Sequence, residues 1–247
     1  MGATRVELIV SNGTARITLD GPETRNALDA DAAADLRAVC AEIDNDAAIG
    51  AAIITGTAPA FCSGADTRVL DALRSARPDE VYDGLDELYS AFRRFGRLSV
   101  PTVAAINGAA VGAGVNLALA ADLRIVAPDA VLASGFARIG LHPGGGHLYL
   151  LARAGGIGAA AAAGVFAQAI TADHAVATGI AWTSVPAADL LRVAERSVAH
   201  LAADPALARA LAATLRRTAA DAAAWDHAVE IERARQMWSL SRPGKEG

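Results

Sequence analysis

The sequence predicts a mixed α/β fold, and three observations support this. Short apolar runs with the features of buried strands alternate with longer segments that have helical spacing. Glycine-rich turns separate many of these segments, and the chain from residue 187 onward has helical patterning. Strands that alternate with helices favour right-handed crossover connections. We therefore expect a mixed core over residues 1–186 and a helical C-terminal part over residues 187–247.

The first elements are a hairpin and a helix. The segments "VELIV" and "ARITL" flank "SNGT", and Asn12-Gly13 between apolar alternations is typical of a two-residue hairpin turn. Asp29 is expected to cap a helix that runs to about Asp44. Apolar residues recur along that helix at helical spacing, namely Leu36, Val39, Cys40 and Ile43. The run "IGAAIITG" then suits a buried strand, and "TAPAFCSGAD" a loop.

The middle of the chain predicts further alternation. A polar helical stretch is expected over about residues 67–97, with a break near Pro78. "PTVAAIN" predicts a buried strand, "GAGVNLALAA" a short buried helix and "DLRIVA" another strand. "VLASGFARIGLHPGGGHLYLL" predicts a strand, a loop and the start of a helix. From Thr171 the pattern is helical nearly to the end, and we expect no strand there.

The last helix is expected to be amphipathic. Its large apolar residues are Trp225, Val229, Ile231 and Trp238, which should be buried against the core or against a neighbouring subunit.

Composition sets limits on function. The chain has 247 residues, 53% of them hydrophobic, so there is material for a sizeable core. The formal net charge of −5 argues against a nucleic-acid partner. Two cysteines, Cys40 and Cys62, are too few for a disulfide framework or a cysteine-based metal site, and each is expected to fill apolar space.

Two uncharged runs raise the question of a membrane. They cover residues 99–121 and 154–172, and both are rich in glycine and alanine. A spanning helix usually contains more leucine, isoleucine and phenylalanine. We therefore expect buried segments, no membrane and no secretory signal, and hence a cytoplasmic protein.

Four segments, in order, resemble the crotonase, or enoyl-CoA hydratase/isomerase, superfamily. They are "ITLDGPETRNALD", "IITGTAPAFCSGADTRVL", "PTVAAINGAAVGAGVNLALAADLRIV" and "IGLHPGGG". The resemblance covers nearly the whole chain. It implies a crotonase/ClpP-like fold of repeated ββα units and an acyl-CoA thioester as substrate. It also implies a homo-trimer or a dimer of trimers. Coenzyme A enters as part of the substrate, and no prosthetic group or metal is implied.

The resemblance assigns an oxyanion hole to two backbone N–H groups. They belong to Ala65 in "SGAD" and Ala113 in "GAGVN". Glycines beside both positions permit a close approach of the backbone. Ala113 also lies where a helix begins, so its N–H is unpaired and at the positive end of the helix dipole.

The coenzyme A site follows by position. "RNAL" resembles the segment that approaches the nucleotide and pantetheine, and "ADTR" the segment around the adenine. Arginine suits phosphate through bidentate hydrogen bonds, although a solvated surface arginine remains the alternative. The expected residues are Arg25, Ala27, Leu28, Ser63, Asp66, Thr67, Arg68 and Gly112.

The catalytic carboxylates of family hydratases are missing. Asn116 and Phe136 stand at the positions of the two usual glutamates. An asparagine can orient water but cannot take its proton at neutral pH, and phenylalanine can only shape the pocket. His142 is the first candidate for a substitute and His147 the second. Asp66, Asp71, Tyr82, Tyr89 and Tyr149 are weaker candidates, and Asp122 is expected to be a structural partner of an arginine.

Three functions remain open at this point. The first is an acyl-CoA enzyme with non-standard chemistry, such as decarboxylation, which needs an oxyanion hole but no base. The second is a genuine enoyl-CoA hydratase that uses other residues. The third is a non-catalytic acyl-CoA-binding protein, and an ionisable side chain near the thioester would argue against it. A structural homo-oligomer without a ligand is a weaker alternative.

Overall fold

The computed structural model describes residues 3–219 and 222–242. The strands are β1 Arg5–Ser11, β2 Thr14–Asp20, β3 Ala51–Gly56, β4 Ala60–Cys62, β5 Thr102–Ile106, β6 Ala109–Val111, β7 Leu123–Val126, β8 Val131–Ala133, β9 Ile170–Thr171 and β10 Thr183–Ser184. The helices are α1 Ala30–Asn45, α2 Thr67–Arg74, α3 Pro78–Phe95, α4 Ala113–Ala120, α5 His147–Ala160, α6 Ala172–Ala177, α7 Leu190–Ala202, α8 Pro205–Ala219 and α9 Ala222–Leu240. Short 3-10 turns lie at Pro22–Thr24, Phe136–Ile139 and Ala187–Asp189.

The strands form two sheets. The larger has the order β1-β2-β3-β5-β7-β10, and the smaller has the order β4-β6-β8-β9. Three successive units, β3-β4-α2, β5-β6-α4 and β7-β8-α5, each place one strand in the larger sheet and the next in the smaller. This arrangement confirms the mixed α/β fold of repeated ββα units. Because β4, β6 and β8 are parallel, their carboxyl ends lie at one edge.

The N-terminal elements follow local sequence signals. Asn12 and Gly13 have positive φ angles of 49° and 72°, as the hairpin turn between β1 and β2 requires. The Asp29 carboxylate accepts a hydrogen bond of 2.9 Å from the Ala32 N–H and caps α1. The four apolar residues expected on the inner face of α1 are all buried. The predicted hairpin and helix are confirmed.

The helical break and the central buried helix also agree with the sequence. α2 ends at Arg74 and α3 begins with Pro78, whose missing N–H costs nothing at a first helical position. All eight residues of α4 are buried. This helix begins directly after β6, at the edge of the smaller sheet.

Four short strands were not expected. β4 lies in the segment expected to be a loop, and β6 lies at residues 109–111, between an expected strand and an expected helix. The expectation of no strand after Thr171 is wrong because Thr183 and Ser184 pair with β7. β9 ends at Thr171 itself, paired with β8. Strands of two or three residues are too short to show a period, and backbone pairing with a distant strand defines them.

The two uncharged runs behave differently. Residues 99–121 are mostly buried, as expected. Residues 154–172 are not, and Ile157 and Phe166 are 81% and 71% exposed. Lack of charge therefore does not distinguish a buried segment from an exposed apolar one. Among the described residues, the stretch His147–Val165 could cross a membrane by length and composition alone, a test that helices of folded domains also pass.

The helices after residue 187 cover the core from two sides. α7 packs its apolar face on the larger sheet, with Leu190, Ala194 and Val198 buried. α9 contacts α3 and α5 and buries Trp225 and Val229. Ile231 and Trp238 are each 54% exposed in the protomer because they lie off the face that α9 buries, so their burial against a neighbouring subunit stays a prediction. A domain boundary at residue 186 stays a prediction.

Candidate active site

A cavity of about 220 Å³ lies at the carboxyl edge of the smaller sheet, beside the start of α4. We call it the inner cavity. Most of its lining is apolar or backbone. The lining residues are Ser63, Gly64, Ala65, Thr67, Leu70, Leu88, Tyr89, Phe92, Val111, Gly112, Ala113, Asn116, Ser134, Gly135, Phe136, Ile139, Gly144 and Gln236.

One wall of the inner cavity contains the backbone of Ala65. The Leu28 N–H donates to the Gly64 carbonyl at 2.7 Å, and the Asp66 N–H donates to the Leu28 carbonyl at 2.9 Å. In such a parallel bridge the residue between the two bonds points its own N–H the other way. The N–H of Ala65 is therefore directed away from Leu28, and Ala65 lines the cavity.

Ala113 lies beside it at the start of α4. As the first residue of the helix it has an N–H without an intrahelical acceptor. Gly112 enters the helix with a φ of 53°, a conformation that favours glycine. A Cβ atom placed on Gly64 would lie 3.3 Å from the Ala113 nitrogen, so the two loops touch. Ala65 and Ala113 thus present backbone to the same end of the cavity.

Asn116, three residues after Ala113 on α4, also lines the inner cavity. Its Nδ2 donates a 2.9 Å hydrogen bond to the Gly144 carbonyl, which can only accept. That contact fixes the amide, so Oδ1 faces the Nδ1 atom of His147 at 2.6 Å. Because Oδ1 can only accept, Nδ1 of His147 carries the proton.

The other ring nitrogen of His147 faces Ser134. Their Oγ and Nε2 atoms are 2.6 Å apart. With the proton on Nδ1, Nε2 is an acceptor, so the Ser134 hydroxyl donates to it. Burial lowers the pKa of His147 to about 3, so the imidazole is neutral at physiological pH. The Phe136 ring meets the imidazole edge to face at a centroid distance of 5.0 Å.

Several local features position these groups. Ser134 follows β8 directly, and the Gly112 N–H donates to the Ala133 carbonyl at 2.9 Å. Gly145 and Gly146 adopt φ angles of 77° and 79°, which turn the chain into α5 so that His147 is its first residue. The glycine run before α5 therefore sets where the imidazole lies.

Glu232 of α9 supports the same helix start. Its carboxylate accepts from the N–H groups of His147 and Leu148 at 2.7 and 2.9 Å. Burial raises the pKa of Glu232 to about 7, although these N–H bonds act in the opposite direction. The carboxylate thus caps α5 from a neighbouring helix.

Titratable groups are scarce in the inner cavity. Among the described lining residues there is no aspartate, glutamate, lysine, arginine or histidine. Tyr89 lines it, but its hydroxyl donates to the Gln236 side chain and burial raises its pKa. Proton transfer in this cavity therefore has to pass through a hydroxyl, an amide or a group behind the wall.

A second cleft of about 410 Å³ adjoins the inner cavity. We call it the outer cleft. It shares Ser63, Ala65 and Thr67 with the inner cavity. Its other lining residues are Glu23, Thr24, Arg25, Ala27, Asp66 and Arg68.

Two arginines reach the outer cleft in different states. Arg68 pairs with Asp66 at 2.6 Å, and this contact holds the pKa of the Asp66 carboxyl below its usual range. Arg25 is exposed and forms no ion pair with a described residue. Arg25 is therefore the cation that can take a phosphate without giving up a carboxylate partner.

The sequence model of the family "Enoyl-CoA hydratase/isomerase" matches residues 10–240. The chain belongs to the enoyl-CoA hydratase/isomerase family. Its fold agrees with this: a solved enoyl-CoA hydratase/isomerase from Xanthobacter autotrophicus superposes with a TM-score of 0.88 at 28% identity, over 98% of this chain and 90% of that one.

Relatives within the family carry more than one activity in their names. The Mycobacterium tuberculosis protein named "Probable enoyl-CoA hydratase EchA14" is 41% identical over 222 residues, covering 87% of this chain and 82% of that protein. The Escherichia coli "1,2-epoxyphenylacetyl-CoA isomerase" is 29% identical over 197 residues, covering 79% and 75%. Membership of the enoyl-CoA hydratase/isomerase family therefore indicates CoA thioesters more firmly than it indicates one reaction.

The structure places most of the predicted site residues at the two cavities. Asn116 and Phe136, which the resemblance aligns with the two usual glutamates, both line the inner cavity, as does Gly112. The side chain of Leu28 is an exception, since it is fully buried and lines neither cavity. Leu28 contributes through its backbone bridge to Ala65.

His142 does not lie where a substitute base is needed. It lines a different cavity, its N–H donates to Ser239 Oγ at 2.9 Å, and its ring contacts the Pro143 carbonyl at 2.7 Å. His147, the second candidate, contacts two residues that line the inner cavity, Ser134 and Asn116. A catalytic role for either histidine stays a prediction.

The remaining candidates lie outside the inner cavity or have structural partners. Asp122 pairs with Arg216 at 2.8 Å, as expected. Asp71 and Tyr82 are exposed and do not line the inner cavity. Both cysteines are buried, which raises the pKa of each thiol to about 12.

Sequence reasoning missed Ser134 and Gln236. A signal for Ser134 was present, because it directly follows an expected strand and lies two residues before Phe136. Parallel strands bring their carboxyl ends together, so the end of β8 had to lie near the start of α4. Gln236 had no signal, because its place depends on how α9 packs.

Proposed function

We propose that this protein is an acyl-CoA thioester enzyme that polarises the thioester carbonyl with the N–H groups of Ala65 and Ala113. The observation that carries the proposal is that both residues present backbone to one end of the inner cavity. One oxyanion-hole donor is worth about 3 to 4 kcal/mol in known enzymes. Because the donors are backbone groups, alanine serves there as well as glycine.

Each of the two spaces would hold a different part of the substrate. The coenzyme A part would lie in the outer cleft with its phosphates near Arg25, and the acyl group in the inner cavity. The thioester then falls at the junction, where Ser63, Ala65 and Thr67 border both spaces. This places the carbonyl oxygen beside the two N–H groups.

The chemistry departs from ordinary hydration. Asn116 and Phe136 supply no proton carrier, and the described lining contains no carboxylate. General acid and base groups typically contribute about 10²- to 10⁴-fold each, so crotonyl-CoA hydration should be very slow. A decarboxylation-type reaction needs no base, but no described cationic residue lines the inner cavity to pair with a substrate carboxylate. A neutral acyl group fits this lining better.

A homo-trimer or dimer of trimers is part of the proposal. Exposed apolar side chains support an assembly, with Ile157, Phe166 and Trp182 each more than two-thirds exposed in the protomer. Sedimentation showing only monomer at micromolar concentration would contradict it.

Calorimetric titration with crotonyl-CoA and hexanoyl-CoA, together with a crotonyl-CoA hydration assay, tests the proposal. We expect both thioesters to bind and the hydration rate to be close to background. R25A should weaken binding about tenfold, while R192A, at a surface arginine on α7, should not. Absence of binding would overturn the proposal, and rapid hydration would show that other residues transfer protons.

A further inference from the structure

Ser134 and Asn116 line the inner cavity, and His147 lies behind them, hydrogen-bonded to both. We propose that Ser134 is a nucleophile that attacks the acyl-CoA carbonyl, with His147 as its general base and Asn116 as a positioning residue. The activity would be hydrolysis of the thioester through an acyl-serine. This inference rests on the proposed function, because it uses the same bound thioester and the same oxyanion donors.

The direction of proton transfer is fixed by the contacts. Gly144 holds the Asn116 amide so that its oxygen faces Nδ1 of His147. Nε2 is therefore the free base, and the Ser134 hydroxyl is 2.6 Å from it. A serine, a histidine in the right tautomer and a group that orients the histidine are the parts of a nucleophilic triad.

Ser134 is also next to the oxyanion donors. Val111 of β6 pairs with Ala133 of β8, so Ser134 lies beside Gly112, one residue before Ala113. Adjacent strands are about 4.8 Å apart, and Ser134, Gly112 and Ala113 all line the inner cavity. A thioester whose oxygen meets the Ala113 N–H would present its carbon toward this strand end.

The reaction balances with water as the second reactant. The Ser134 oxygen bonds to the carbonyl carbon while its proton passes to Nε2 of His147. The tetrahedral intermediate then breaks the carbon–sulfur bond, and coenzyme A leaves with the proton from His147. Water attacks the acyl-serine, gives one proton to Nε2 and releases the carboxylic acid. The Ser134 oxygen recovers that proton.

The electrostatics predict a slow enzyme. His147 is buried against a neutral amide rather than a carboxylate, so the imidazolium that forms during the reaction is poorly stabilised. Among the described residues, the titratable group in contact with His147 is the Glu232 carboxylate, which accepts from the His147 backbone N–H at 2.7 Å. When ionised, its carboxylate favours the imidazolium.

The size and lining of the inner cavity set the substrate class. A cavity of about 150 Å³ can hold a benzene ring, and this one has about 220 Å³. The proposal therefore takes neutral acyl or aryl thioesters of roughly six to eight carbons. Hexanoyl-CoA and benzoyl-CoA are suitable probes.

The test measures an adduct and a product. Wild-type protein is mixed with hexanoyl-CoA or benzoyl-CoA, intact mass is recorded, and released thiol is followed with a thiol reagent. The two protein cysteines are buried, so they should contribute little background. We expect an acyl adduct that maps to Ser134, and thiol release that S134A reduces at least about 100-fold.

Controls separate folding, binding and chemistry. S197A removes a hydroxyl that bonds to Ala194 on α7, outside both cavities, and should behave like wild type. Binding of hexanoyl-CoA to S134A by calorimetry shows that the variant is folded. The adduct measurement uses wild-type protein and so remains valid if S134A does not fold.

Each outcome decides the proposal. Thioester binding without thiol release or adduct would overturn the nucleophile, leave the proposed function standing and make the three residues a structural network. Thiol release that survives in S134A would also overturn it. Absence of thioester binding would overturn both.

The role of Asn116 requires a test that distinguishes positioning of the His147 ring from a purely structural role. In N116D a carboxylate would face Nδ1 and stabilise the imidazolium, raising the pKa of His147. Wild-type thiol release should be flat between about pH 5 and 8 because His147 stays neutral there. N116D should lose activity on the acidic side of that window, and identical pH profiles would remove Asn116 from the mechanism.

Discussion

The two walls of the inner cavity are built in different ways. The backbone wall consists of the Ala65 and Ala113 peptides, placed by a bridge to Leu28 and by the start of α4. The side-chain wall consists of Asn116 and Ser134, with His147 directly behind them, and hydrogen bonds of 2.6 Å join the three residues. The first wall depends on chain path and the second on residue identity.

This difference separates what the family shares from what the chain does. A backbone N–H remains when the side chain changes, so the backbone wall can persist through the family as the sequence diverges. The side-chain wall changes its chemistry with a single substitution. Family membership therefore supports thioester binding, and under the proposed function the side-chain wall would determine which reaction follows.

The largest expected effect comes from removing one donor of the backbone wall. A113P deletes the N–H at the first position of α4, where proline is otherwise tolerated. Loss of one oxyanion donor should reduce thioester turnover by about 10²- to 10³-fold. Thiol release from hexanoyl-CoA measures this, and calorimetry should still detect binding.

A matched control exists at another helix start. Ala30 is the first residue of α1 and lines neither cavity, so A30P makes the same chemical change away from the site. A30P should keep wild-type turnover. If A113P also does, the oxyanion assignment is wrong.

A smaller effect is expected from exchanging the chemistry of the side-chain wall. The double variant N116E/F136E restores carboxylates at both positions of the family glutamates. Crotonyl-CoA hydration should rise about tenfold, because positioning errors of about 1 Å offset most of the gain. The same variant removes the Asn116 contact to His147, so thiol release should fall.

The informative result is a rise in the rate of crotonyl-CoA hydration together with a fall in the rate of thiol release. The single variant F136E keeps Asn116 and so leaves its contact to His147 in place. Thiol release should therefore survive better in F136E than in the double variant. A parallel rise or fall of both activities in N116E/F136E would show that the side-chain wall does not decide between reactions.

The sequence could predict the backbone wall because local motifs define it. "SGAD" and "GAGVN" contain the glycines that allow the close approach, and α4 follows at once. The first hairpin and the first helix were predictable for the same reason, since the Asn12-Gly13 turn and the Asp29 cap are local signals.

The side-chain wall could not be predicted because its members are far apart in sequence. Asn116 and His147 are 31 residues apart, and the contact between them depends on how α4 packs against α5. The sequence does not distinguish His142 from His147, because both flank the same glycine run. The positive φ angles of Gly145 and Gly146 direct only the second histidine inward.

The smallest expected effect concerns the stability of the side-chain wall, through Glu232. Burial raises the folded pKa of Glu232 from 4.5 to about 7 and lowers that of His147 from 6.5 to about 3. The raised pKa of the Glu232 carboxyl contributes stability that is lost as pH rises from 4.5 to 7, because between these values the folded state binds a proton that the unfolded state does not. Stability that depends on neutral His147 is lost as pH falls from 6.5 toward 3.

These two contributions oppose each other between pH 4.5 and 6.5, so the wild-type free energy of unfolding should change little there. E232Q removes only the carboxyl, so its free energy of unfolding should rise with pH across that window. The slope should differ from wild type by up to about 1.4 kcal/mol per pH unit. Urea unfolding at several pH values measures this, with E195Q at an exposed glutamate of α7 as the control.

Equal slopes for E232Q and wild type would mean that Glu232 is already ionised in the folded protein. His147 would then lie beside a permanent negative charge, and its base strength would be greater than burial alone allows.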